Sequence, residues 1–75
     1  MYNIFSAAQR ELEQIIKELN NFLANNYKDA AHECRLALGE KCEAYYQSGK
    51  LSRKKYLYYR NLYQQYTQKM KNYHH

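Results

Sequence analysis

The sequence predicts an all-α fold: a small three-helix bundle running up, down and up, either closed within one chain or completed by homodimerisation. Three observations predict it. Apolar residues recur at steps of three and four in three successive segments, the spacing that gathers side chains on one face of a helix. Proline is absent and glycine occurs only at Gly39 and Gly49, too few turn-formers for a fold of many short strands. A length of 75 residues suffices for one modest core in a single domain, and chains of this size often add a second subunit, a metal or a disulfide.

Helix 1 is expected over about residues 6–24. Phe5, Ala8, Leu12, Ile15, Leu19 and Phe22 form its stripe, and Ile16 and Leu23 widen it as a core-facing helix requires. Ser6 and Gln9 have the spacing of a capping box, and Glu13 with Lys17 forms an i,i+4 pair expected on the outer face. Asn25 and Asn26 tolerate left-handed geometry, and Asn26 with Asp29 again has capping spacing, so a tight reversal at 25–27 is expected, with a continuous helix as the alternative. Helix 2, about 27–47, carries Tyr27, Ala31, Cys34, Leu38, Cys42 and Tyr45, a stripe of smaller residues. Gly39 within it either permits a close helix crossing or marks a weak point, at about 1 kcal/mol relative to alanine.

Gln47–Lys50 ends helix 2, with Gly49 suited to the left-handed position past a helix end and Ser52 to the N-cap that follows. Helix 3, about 52–73, carries Tyr56, Tyr59, Tyr63, Tyr66, Met70 and Tyr73 in alternating steps of three and four, with Leu51, Tyr58 and Leu62 beside them. This stripe is expected to be core for Tyr56, Tyr59, Tyr63 and Tyr66, with hydroxyls at the bundle edge. Tyr45, Tyr46, Tyr58 and Tyr73 are the candidates for exposure.

Charge is segregated along the chain. Residues 1–43 carry five basic and seven acidic groups; residues 44–75 carry seven basic groups and no acidic one, and together they give the net charge of +5. Eight of the ten tyrosines lie in that second segment. Ordinary solvated helices mix both signs, so a one-signed run of 32 residues points to a partner of opposite charge. In helical projection Arg53, Arg60 and Lys71 fall in a row beside the stripe, with Lys55 and Lys69 on its other side. Cations attract phosphates by counterion release, and tyrosines stack on unpaired bases. The expected contact residues are therefore Lys50, Arg53, Lys54, Lys55, Arg60, Lys69 and Lys71 with Tyr46 and Tyr58. The expected partner is nucleic acid; the alternatives are an acidic protein surface, to which an adaptor or inhibitor would dock, and a second copy of the chain in a structural homo-oligomer.

Other chemistries lack their residues. His32 and Cys34 point about 200° apart on a helix and cannot share a metal, and His74 with His75 reads as a frayed end. Gly49-Lys50-Leu51-Ser52 departs from a phosphate loop, since Leu51 displaces the serine and Ala44 stands where the earlier glycine belongs. Cys34 has no base at helical spacing, so neither enzyme activity nor a cofactor is expected. Cys34 and Cys42 are about 12 Å apart along one helix, too far for a disulfide, and are expected to be reduced packing residues. A membrane-surface helix would need an apolar insertion face that helix 3 lacks, and a helix-turn-helix would need shorter helices. With no apolar run of spanning length and no signal-peptide pattern, a cytoplasmic protein is expected.

Overall fold

The computed structural model describes residues 5–74. Among them three helices form: α1 at Ala7–Ala24, α2 at Lys28–Gln47 and α3 at Arg53–Lys69. None is long and apolar enough to cross a membrane. Tyrosine hydroxyls report the register. Tyr59 donates to Glu13 at 2.7 Å, Tyr66 to Asn20 at 2.7 Å and Tyr73 to Asn26 at 2.9 Å. Each seven-residue advance beyond α3's start meets a six- or seven-residue advance along α1, so these segments run parallel. Partners on α2 descend instead, from Glu43 at Tyr56 through Arg35 at Thr67 to His32 at Tyr73. The bundle is therefore up-down-up.

Both turns are built by the same device. At the end of α2, Gly49 takes φ +79°, its N–H donates to Tyr46 and the N–H of Lys50 donates to Tyr45. This is a Schellman motif, which satisfies carbonyls left open at a helix end. At the end of α1 the N–H groups of Asn26 and Tyr27 make the matching bonds to Leu23 and Phe22, and the Phe22 and Tyr27 rings meet at 6.2 Å. Asn26, at φ +59°, is thus the left-handed residue that closes α1 and not the N-cap of α2. Its side-chain oxygen is taken by Tyr73, and Tyr27 occupies the α2 N-cap with no side-chain hydrogen bond. The other two N-caps are as expected: Ser6 accepts from the Gln9 N–H and Ser52 from the Lys55 N–H, each at 3.2 Å.

The core has two parts. Ala8, Leu12, Leu38, Cys42, Leu51 and Tyr59 form one; Leu19, Ala31 and Met70 form the other, and Tyr66 packs against both. Gly39 is a close crossing. A β-carbon there would lie 2.6 Å from Cε1 of Tyr63, so the bare backbone is what lets that ring approach α2 so closely. Cys42 is buried and Cys34 partly so, both free, and burial raises both thiols above their ordinary value.

α3 stops at Lys69, four residues short of the expected 73. Met70 is fully buried as the C-cap, and the chain then turns so that Tyr73 reaches Asn26 with its hydroxyl and His32 with its carbonyl. Continuing the helix would forgo both.

Candidate partner-binding surface

The tyrosine stripe faces inward. Tyr59 is 1% exposed, and Tyr56, Tyr63 and Tyr66 are half-buried against the core, as expected. What periodicity did not disclose is where their hydroxyls go. Tyr45 donates to Glu11, Tyr56 to Glu43 at 2.9 Å, and Tyr59 to Glu13. Carboxylates of the acidic half thereby receive hydroxyls from the tyrosine-rich half. Glu13 turns toward α3 and not to the outer face expected from its spacing with Lys17.

These bonds set the proton affinities. Burial raises Tyr59 most, and Glu13 adds to that because a carboxylate beside the hydroxyl disfavours a second negative charge. Tyr45 and Tyr56 are raised chiefly by their hydrogen bonds to Glu11 and Glu43, while Glu11 is lowered by Tyr45 and then by Lys41, whose Nζ lies 3.1 Å away.

Two of the four tyrosines expected to be exposed carry hydroxyl bonds, and a third is stacked. Tyr45 and Tyr73 are held as above, and Tyr46 stacks on Tyr56 with centroids 4.1 Å apart and planes 11° apart. Short turns bring these residues back against neighbouring helices, which a projection of one helix cannot register. Tyr58 alone matches the expectation, at 56% exposed and in a T-shaped contact with the Tyr59 ring, 5.0 Å between centroids.

The basic residues divide in the same way. Arg60 pairs with Glu43 at 3.7 Å and lies over the Tyr63 ring, so it is engaged within the bundle. Lys71 lies beyond the end of α3 and leaves the row in which projection set it with Arg53 and Arg60. Lys69 borders a shallow groove with Asn20, Leu23 and Tyr73. It is 14 residues, or about 21 Å of helix, from Lys55. Lys50, Arg53, Lys54 and Lys55 lie at the start of α3 and in the turn before it, all exposed, and none has an ion pair among the described residues; Lys50 lies over the Tyr45 ring, 5.8 Å from its centroid, and its charge helps to lower Glu11. The first turn of α3 contains no acidic residue. Three cations at the positive end of a helix dipole are unfavourable by about 0.3–1 kcal/mol each, a cost that a bound anion removes.

Because α1 and α3 run parallel, this basic end is also where α1 begins. Phe5, Gln9 and Glu13 form one side of a groove of about 410 Å³ whose other side is Lys54, Lys55, Tyr58 and Tyr59. Phe5, expected as the first residue of the α1 core stripe, precedes the helix and is 38% exposed. Gln9 was legible only as a capping residue, and its place beside Lys55 follows from the topology.

The opposite end is closed. Lys28 donates to the His74 carbonyl at 3.1 Å, His32 donates to that of Tyr73 at 2.5 Å, and the His74 ring stacks on His32 at 4.9 Å. Side chains from the start of α2 thus cap the last carbonyls of the described chain, and His74 is docked where a frayed end was expected. His75 lies outside the described residues. Among the described residues no three histidine, cysteine or acidic side chains are grouped to hold a metal ion.

No protein-family model, curated protein or solved structure matches this chain.

Proposed function

We propose that this protein is a small binding module that contacts nucleic acid through the basic end formed by the start of α3 and the turn before it. One observation carries the reading: Lys50, Arg53, Lys54 and Lys55 are exposed together without ion pairs among the described residues, while Arg60, further along α3, has one. A cluster of exposed cations without ion pairs at a helix start suits phosphate oxygens. The exposed ring of Tyr58 beside it supplies a surface that inorganic anions do not need and nucleotides use. Arg60 and Tyr46 have internal partners and support the surface from within, while Lys69 and Lys71 lie too far along the bundle to share the same few phosphates.

The test is binding of a labelled oligonucleotide across a salt series. Neutralising about four phosphates makes the affinity fall on the order of a hundredfold between about 50 and 200 mM salt. Affinity independent of salt over that range rejects the reading. Polyglutamate of matched charge competing as well as the oligonucleotide at equal ionic strength would transfer the surface to an acidic protein partner.

A further inference from the structure

Resting on that reading, we infer that the ligand is single-stranded, with one unpaired base seated against Tyr58 in the groove between the starts of α1 and α3 and its flanking phosphates on Lys54 and Lys55. Tyr58 follows Lys54 by four residues and Lys55 by three, so all three rise from one face of α3. The edge contact with the buried Tyr59 ring restrains Tyr58 from one side, while more than half of its surface stays open. An aromatic ring held in place and left exposed is a stacking platform, and a base paired within a duplex offers no free face to it.

Charge orients the occupant. The inner wall holds Glu13, whose carboxylate accepts from Tyr59, and the amide of the buried Gln9; the outer wall holds the two lysines. A phosphate is repelled by Glu13 and drawn to Lys54 and Lys55, so the backbone tracks the outer wall and the base edge turns inward toward Gln9 and Glu13. An acidic peptide would bring its carboxylates to the same lysines, but it offers a ring to Tyr58 only where an aromatic residue stands beside them, whereas every nucleotide joins a flat ring to a phosphate.

The experiment compares a ten-residue oligo-U or oligo-dT with a ten-base-pair duplex by fluorescence anisotropy at fixed salt, for the wild type, Tyr58→Phe and Tyr58→Leu. Circular dichroism checks that each variant is folded, as expected for changes at a mostly exposed position. The expected result is tighter binding of the single strand, a loss of about tenfold in Tyr58→Leu and little change in Tyr58→Phe, with duplex affinity the same in all three. Equal affinity for both nucleic acids, or a Tyr58→Leu variant that binds the single strand like the wild type, overturns the stacking site while leaving a salt-sensitive basic surface in place. Absence of binding to either nucleic acid at about 50 mM salt overturns the proposed function and this inference together.

Discussion

Tyr59 and Tyr58 are neighbours in the chain and opposites in the molecule. One is buried with its hydroxyl on Glu13 of α1; the other is open to solvent beside Lys54 and Lys55. The same division runs through the whole second half. Its inward face spends tyrosines on the acidic residues of the first half, whereas its leading end leaves cations without such partners. A surplus of one residue type in a small protein can therefore serve cohesion on one face and recognition on another, and the two uses respond differently to mutation.

The largest expected effect comes from breaking the inward side. Tyr59→Ala removes a fully buried ring and should destabilise the fold by about 3–5 kcal/mol, enough in a chain this small to abolish most helicity at about 25 °C. Circular dichroism melts would show it; a melting temperature within a few degrees of wild type would mean that the ring is not core. Gly39→Ala comes next. Helix propensity favours alanine by about 1 kcal/mol, but the new methyl would lie 2.6 Å from Cε1 of Tyr63, and overpacking costs about 1–3 kcal/mol. Net destabilisation is expected, and its reversal in Gly39→Ala combined with Tyr63→Ala would assign the cost to that crossing.

Tyr59→Phe keeps the ring and removes only the hydroxyl bond, for about 1–2 kcal/mol by urea titration. It also separates the pH dependences. Tyr45, Tyr56 and Tyr59 hold their protons more tightly when folded, so the stability they confer is present below their ordinary value of 10 and falls as pH rises through 10 toward their folded values. Glu11 has the opposite sign. Its folded value lies below 4.5, and its contribution, present above that pH, is lost as the pH falls through the lowered value. Alkaline unfolding should begin near pH 10 and be less steep in Tyr59→Phe; an identical alkaline limb would show that the buried hydroxyl does not couple to folding.

On the outward side, replacing Arg53, Lys54 and Lys55 by glutamine should leave stability unchanged or raise it slightly, since it removes three cations from the positive end of α3. The same triple variant should lower the salt slope of oligonucleotide binding by about one unit for each phosphate that is no longer neutralised. A destabilised triple variant would place those side chains in the cohesive class with Tyr59 and sharpen the boundary between the two.

Local pattern was sufficient for a large part of this molecule. The aliphatic stripe of α1, the Ser6 and Ser52 caps, the left-handed Gly49 and the inward stripe from Tyr56 to Tyr66 depend on residues within a turn or two of one another, and helical periodicity is itself a local property. The exposure of Tyr58 and the charge segregation were readable for the same reason. Asn26 shows where that stops: two caps were sterically open to it, and the bond from Tyr73, 47 residues away, belongs to the one adopted. Glu13, Tyr45, Tyr73 and the end of α3 are likewise settled by partners on another helix. So is the groove that joins Phe5 and Gln9 to Lys55 and Tyr58. Which faces are apolar and which end is basic follow from one helix at a time, and the order of residues is enough to set them. Which hydroxyl meets which carboxylate, and which cations remain open, depend on the register of three helices packed together, and no single helix contains that register.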